Sequence, residues 1–362
     1  MGRRSDPAWR DRAALDLLTR RVLPTLPSLH AGPLLIAGEP SPGFDVDGGR
    51  RVVRWDRMAS RRGAGTTLPS ASDIAVAAVR MARSRAALDF MVRAVASTLR
   101  KGGLLLVYGA NDEGAGAVTR ELGELGIEAR TWASGGRCRV VGGVLDRPPE
   151  TLALSDVQLV APIDLPGVGE RDWLGYPGVF AAGRLDAGTR LLLRTLSRIP
   201  PETAVLDYGA GTGLIAAAAA GLGAEDMTLL EPDALAAEAA RRNVPGGRVV
   251  EGAGWPPLEG TRFDLILSNP PYHQGKAETV QPVLDFIRGA AAHLERRGRI
   301  RFVVQRRLPV EHDLTQRFDH VEVVADDGPY RVWEAWRTLS PGEGGSEAAD
   351  ADGSHMDLNR GN

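Results

Sequence analysis

The stretch Ala204–Gly221, "AVLDYGAGTGLIAAAAAG", decides how this chain folds. An apolar run ends at Asp207, glycines follow at Gly209, Gly211 and Gly213, and an alanine-rich segment of helical composition comes next. Glycine permits a sharp strand-to-helix turn and lets a ligand approach the main-chain N–H groups at the helix start. Taken alone, the pattern fits either a dinucleotide-type loop or a structural turn. The chain then continues with "MTLLEPDALAAEAARRN" from Met227. Its apolar run ends in Glu231, 18 residues after Gly213, close to the spacing of about 20 expected of an acid that binds ribose hydroxyls. An acid at a helix N-terminus, favoured by the dipole, would look the same. The third stretch is "FDLILSNPPYHQG" from Phe263. Pro270 and Pro271 forbid both a continued strand and a regular helix. They leave Asn269 and Tyr272 on either side of a rigid, donor-poor corner. A structural turn rarely pairs Asn-Pro-Pro with an aromatic, and the order of the three stretches favours function for all of them.

The 362 residues suffice for two domains, and 43% apolar with 25% charged residues is a soluble globular balance. No run approaches the roughly 20 apolar residues of a membrane span, and the N-terminus shows no secretory pattern. One cysteine, Cys138, leaves no disulfide framework. The six histidines form no cluster with metal-ligand spacing, so no metal is expected. The expected compartment is the cytoplasm. Residues 1–160 carry a net charge of +6 and residues 161–340 one of −4. Nearly all the positive charge is arginine, whose planar fork suits phosphates.

Strands alternate with helical patterns throughout, which predicts α/β units around largely parallel sheets. The two halves also resemble each other. "AALDFMVRAVASTLRKGGLLLV" from Ala86 parallels "PVLDFIRGAAAHLERRGRIRFV" from Pro282, with Gly102 and Gly298 at the same spacing as the Leu-Asp-Phe triplets. "GPLLIAGEPSPG" from Gly32 has the outline of "TAVLDYGAGTG" from Thr203, and "SDIAVAAVRM" from Ser72 that of "FDLILSNPPY". Three matches in one order indicate a tandem duplication. The expected division is residues 1–155, residues 156–340 and a disordered tail, residues 341–362, rich in Gly, Ser and acids.

The glycine loop, the acid and Asn-Pro-Pro-aromatic, in that order, resemble class I S-adenosylmethionine-dependent methyltransferases acting on exocyclic or amide nitrogens. "YPGVFAAGRLDAGTRLLLRTL" (residues 176–196), "NPPYHQG" and the degenerate N-terminal twin extend the likeness to the ribosomal RNA guanine-N2 methyltransferases, over roughly residues 30–335. The resemblance implies two tandem Rossmann-like methyltransferase domains, with only the C-terminal one active and the N-terminal one docking RNA. It implies S-adenosylmethionine held by Asp207, Gly209, Gly211, Gly213, Glu231 and Asn269. The reaction would methylate the N2 amine of a guanine in 16S or 23S RNA, free or within a ribosomal subunit. A guanine amine is a poor nucleophile. The Asn269 side-chain carbonyl and the Pro270 backbone carbonyl can each accept one of its N–H groups, orienting the nitrogen for in-line transfer. Tyr272 can stack on an extruded base. His273 and Gly275 complete the substrate loop, His273 for positioning or loop packing rather than as a base.

Two features bear on this reading. The family's acid in the loop after the third strand is replaced here by Ala253, in "VVEGAGWPP", with Glu251 two residues away. Trp255 either flanks adenine or fills core. In the twin, matching Asp73 to Asp264 sets Ala78-Val79-Arg80-Met81 against Asn269-Pro270-Pro271-Tyr272. The N-terminal half keeps the arginine cluster Arg50, Arg51, Arg54, Arg57, Arg61 and Arg62, suited to phosphate contacts. The alternatives are N-methylation of a protein glutamine or a small molecule, and a non-enzymatic RNA-binding or assembly protein with a decayed cofactor site.

Overall fold

A computed structural model of the chain describes residues 7–41, 50–60, 63–82, 84–115, 117–180, 184–271, 273–274, 277–278 and 280–338. The expected tail, the Tyr272 and Gly275 positions, and Arg61 and Arg62 lie outside the described residues.

Helix α1 (Pro7–Leu17) precedes β1 (Leu34–Ala37), β2 (Val52–Trp55), β3 (Ile74–Arg80), α2 (Arg85–Ala96), β4 (Leu99–Ala110), α3 (Thr119–Glu124), β5 (Arg130–Gly135) and β6 (Cys138–Leu145). These strands form one sheet in the order β2-β1-β3-β4-β6-β5. The first four are parallel, and β6 and β5 close it antiparallel. Every residue of β1 and β3 is buried, as expected of parallel strands covered on both faces. A hairpin of β7 (Leu159–Leu165) and β8 (Gly169–Gly175) leads to α4 (Ala187–Arg194).

The second unit continues with β9 (Val205–Tyr208), α5 (Leu214–Gly221), β10 (Met227–Glu231), α6 (Ala234–Asn243), β11 (Arg248–Glu251) and β12 (Phe263–Ser268). Then come the short β13 (His273–Gln274) and β14 (Ala277–Glu278), α7 (Gln281–Ala290), β15 (Leu294–Gln305), α8 (Glu311–Thr315), β16 (His320–Asp327) and β17 (Tyr330–Trp336). The sheet order is β11-β10-β9-β12-β15-β17-β16, so it repeats the first sheet with β11 added at one edge. The chain is thus α/β, with two Rossmann-like units in tandem.

The strand registers correct two sequence expectations. Ala37 pairs with Val79 in the first sheet as Tyr208 pairs with Ser268 in the second. The residue after Val79, Arg80, therefore stands where Asn269 stands, and Ala78 does not. Short apolar runs carry almost no register information, and the two aspartates used for the match serve different ends. Asp73 has a left-handed backbone with φ 55°, whereas the Asp264 carboxylate accepts the Ala204 N–H at 3.0 Å. The glycine match also moves by one residue. Gly103 is the counterpart of Gly298, and an added Cβ would press on the carbonyl three residues earlier in both, Arg100 at 2.9 Å and Glu295 at 3.0 Å.

The two units share a core. Tyr176, Val179, Leu235, Ala236 and Ala239 of the second belong to the cluster built on Leu88, Phe90 and Val92 of α2. Gly178, with φ 77°, lies so close to α2 that a Cβ would come within 2.4 Å of the Ala87 methyl. Above this contact the 57–59 segment grips the start of α6. The Ala59 N–H donates to Pro232 O (2.6 Å), the Ala234 N–H donates to Arg57 O (2.9 Å), and the Arg57 guanidinium pairs with Asp233 at 2.5 Å. Arg57 is 9% exposed, so burial and this ion pair remove it from the group of arginines that could face a phosphate.

Candidate functional site

In open α/β sheets ligands sit beyond the carboxyl ends of the strands, where the strand order reverses. In the second sheet β9 has β10 on one side and β12 on the other, so this point lies at the ends of β9 and β12. The Ser268 hydroxyl donates to Tyr208 O at 2.7 Å and ties the two strand ends together. The glycine loop leaves from one and Asn269 from the other.

Gly209, Gly211 and Gly213 all take positive φ (73°, 56° and 89°), which explains why the loop needs them. Added methyls at Gly209 and Gly211 would project into open space, whereas one at Gly213 would meet Val244 at 2.7 Å. The loop is braced from behind. The Trp173 indole donates to the Thr212 hydroxyl at 2.9 Å, and the Asn243 amide donates to Thr212 O at 3.0 Å. Asp207 is buried, with Oδ2 accepting the Ala216 N–H at 3.0 Å and Oδ1 without a partner among the described residues. Burial pushes its carboxyl up to about 7, the nearby Glu231 charge adding to the rise and the Ala216 N–H opposing it. Glu231 accepts the Gly211 N–H at 2.7 Å and the Asp233 N–H at 2.8 Å. Burial pushes it up to about 7 as well, against those two hydrogen bonds and with the Asp233 charge adding to the rise. An open glycine cradle, an orphaned buried oxygen and a second buried acid fit S-adenosylmethionine, which needs close backbone approach and acceptors for its hydroxyl and cationic groups.

Across the strand ends, Asn269 is half-buried, Pro270 is buried and Pro271 is exposed. The Asn269 amide nitrogen donates to the Thr189 hydroxyl at 2.9 Å and to the Asp186 carboxylate, 3.2 Å from Oδ1 and 3.5 Å from Oδ2. No described residue donates to its carbonyl oxygen. Asp186 is also the N-cap of α4, its Oδ1 accepting the Gly188 N–H (3.0 Å) and the Thr189 N–H (3.2 Å). Asp186 and Thr189 lie within residues 176–196, the stretch that carries the family likeness, and neither is among the residues expected from sequence. The signal for them in the sequence is an aspartate immediately before a helical pattern, with a hydroxyl three residues on.

Of the remaining expected residues, His273 lies in β13 and only its backbone is described. Trp255 packs on Tyr208 (4.6 Å between centroids), Phe286 and His293, and its indole donates to Asp285 O. It belongs with the core, filling a notch against Gly289. Glu251 pairs with Arg241 at 2.6 Å, so Ala253 has no acid freely waiting beside it. In the N-terminal unit the matching corner is filled. Arg80 is 4% exposed and pairs with Glu113 at 2.8 Å and with Asp11 of α1 at 2.5 Å. Glu39, in the loop matching the cofactor loop, accepts the Tyr108 hydroxyl (2.6 Å) and the Ser41 N–H (2.8 Å). Among the described residues no group of three or more His, Cys, Asp or Glu could hold a metal ion, and no helix is long and apolar enough to cross a membrane.

Known proteins are similar to this chain in sequence and fold. The Methyltransferase small domain family matches residues 171–334, and the Methyltransferase small domain N-terminal family matches residues 54–159. A Pseudomonas entomophila protein named Ribosomal RNA small subunit methyltransferase C is 31% identical over 326 residues, 85% of this chain and 96% of its own. The chain belongs to the ribosomal RNA small subunit methyltransferase C family. A Chromohalobacter salexigens member is 33% identical over 258 residues, covering 69% of this chain and 74% of its own. The T. thermophilus methyltransferase of the same family, solved with AdoMet and guanosine, superimposes with a TM-score of 0.76 over 90% of this chain and 92% of its own. At 24% identity that likeness is one of fold.

Proposed function

We propose that this chain transfers the methyl group of S-adenosylmethionine to the N2 amine of a guanine in 16S ribosomal RNA, in the cytoplasm. The observation that carries the reading is the asymmetric amide of Asn269: its nitrogen is occupied by Asp186 and Thr189, and no described residue donates to its carbonyl oxygen. An amine with two N–H groups meets two acceptors there, Asn269 Oδ1 and the Pro270 carbonyl. The cofactor, when bound, supplies an electrophilic methyl on a sulfonium. The N2 lone pair forms the new N–C bond, the C–S bond breaks with its electrons left on sulfur, and one N2 proton then leaves to solvent. Pinned acceptors favour that geometry and the positive charge that develops on nitrogen. Asp207, Gly209, Gly211, Gly213, Glu231 and Asn269 are assigned to the cofactor, and Tyr272, His273 and Gly275 to the substrate base. The small-subunit activity named for the relatives points to 16S rather than 23S RNA, and to nucleic acid rather than a protein glutamine or a small molecule.

In this reading the N-terminal unit binds no cofactor, because Arg80 and its two acidic partners occupy the corner that holds Asn269 in the other unit. It contributes RNA contacts through the net charge of +6 that residues 1–160 carry, by phosphate rather than base recognition. The test is mass spectrometry of 16S RNA nucleosides from cells with and without the gene. N2-methylguanosine at one position should vanish and return with the wild-type chain but not with Asn269→Ala. An unchanged nucleoside profile would overturn the proposal.

A further inference from the structure

We propose that Asp186 and Thr189, at the start of α4, are the positioning residues of the transfer step: together they bind the amide nitrogen of Asn269 and turn its carbonyl oxygen toward the acceptor amine. The inference rests on the guanine-N2 reading above and extends it to residues outside the Asn-Pro-Pro corner. A carboxylate only accepts hydrogen bonds, so the group that faces Asp186 must be the amide nitrogen. This orientation follows from chemistry and does not depend on how oxygen and nitrogen are told apart. Rotating the amide by half a turn would set Oδ1 against the Asp186 oxygens, acceptor against acceptor.

Three features make the arrangement rigid. Thr189 is 4% exposed, and its Oγ1 accepts from Asn269 at 2.9 Å. Asp186 Oδ1 is itself fixed by the Gly188 and Thr189 N–H groups, so the cap of α4 and the orientation of Asn269 share one oxygen. Gly188 permits this, since a Cβ there would crowd Asp186 Oδ1 and the Tyr330 ring at 3.2 Å each. The negative charge of Asp186 also polarises the amide. It draws positive character to the nitrogen and leaves more electron density on Oδ1, which strengthens the acceptor as charge grows on the attacking amine. Neither residue need touch the substrate.

The test uses the full chain with 16S RNA and separates positioning from stability. Thr189→Val keeps shape and removes the acceptor. It should lower kcat about tenfold or more, while the S-adenosylmethionine Kd stays within about twofold, because misplacement of a reacting group acts on the transition state. Thr189→Ser should restore most of the rate. Asp186→Asn keeps a good N-cap and removes the charge, so the melting temperature should hold while kcat falls. On an Asn269→Ala background neither variant should lower the rate further. A readout independent of RNA is hydrogen exchange of the Asn269 side-chain NH2, identified by its loss in Asn269→Ala. It should be slow in the wild type and fast in Thr189→Val. Wild-type kcat in both Thr189→Val and Asp186→Asn, or exchange unchanged by Thr189→Val, overturns the proposal. A wild-type chain that methylates no guanine but keeps a protected Asn269 amide that Thr189→Val exposes would support the positioning and overturn only the substrate reading.

Discussion

Under the proposed function Glu231 has two jobs. Its oxygens already hold the Gly211 and Asp233 N–H groups, and each keeps a lone pair for a ribose hydroxyl. Glu231→Ala should weaken S-adenosylmethionine binding by about 1–3 kcal/mol, the range for losing hydrogen bonds to a charged group. Calorimetry checks this, and an unchanged Kd would remove Glu231 from the cofactor site. The two buried acids also set a pH dependence. Asp207 and Glu231 are both pushed up to about 7, above their usual values. The folded chain without cofactor therefore holds protons that the unfolded chain has released. Their contribution to stability is fully present below about pH 4 and is lost as pH rises to about 7, after which it is flat. A cofactor that uses the ionised carboxylates has the opposite trend: affinity rises between about pH 6 and 8, and binding near pH 7 releases protons. Calorimetry in two buffers of different ionisation enthalpy measures that release. Proton uptake, or pH-independent binding, would contradict the assignment.

At the scale of elements, the glycine loop between β9 and α5 separates two kinds of glycine. Gly209 and Gly213 both have left-handed backbones, where a Cβ costs about 1–2 kcal/mol. At Gly213 the methyl would also strike Val244, while at Gly209 it enters the cradle. Gly213→Ala should therefore lower the melting temperature more than Gly209→Ala. Gly209→Ala should lose more cofactor affinity than its modest destabilisation explains. Thermal melts and Kd values on the two variants decide, and the reverse order would place the cofactor elsewhere. The strand–loop–helix pattern of this element was legible because glycine spacing and apolar runs are local. The Arg80 counterpart was not, because an offset of two residues changes nothing that a short apolar run encodes.

On the scale of the whole molecule, the contact between the units changes what can be expected of a separated C-terminal half. Its sequence contains every residue proposed to hold the cofactor, which suggests that it should bind S-adenosylmethionine unaided. In the fold, Tyr176, Leu235, Ala236 and Ala239 are buried against α2, and Arg57 clamps Asp233, two residues from Glu231. A chain truncated to start at Val160 should expose that face, aggregate, and bind the cofactor more weakly than the intact protein. Light scattering and calorimetry report both effects. A soluble truncated chain with full affinity would show that the interface does not support the site. In the full chain, Arg57→Ala is the milder version, and it should weaken cofactor binding without aggregation.

By itself the sequence determined the class of fold, the tandem repeat, and the order of glycine loop, acid and Asn-Pro-Pro corner. These depend on residue types at short spacing: glycine where φ is positive, proline where a donor must be absent, an acid at a strand end. The tertiary structure alone decided which way the Asn269 amide faces, since Asp186 and Thr189 lie 83 and 80 residues away along the chain. It alone decided that Arg80 fills the matching corner of the first unit, held by Asp11 at 69 residues and Glu113 at 33. It also decided that Arg57 serves the interface rather than a phosphate. Such pairings are set by sheet register and packing, which join residues whose separation in sequence carries no information about their distance in space.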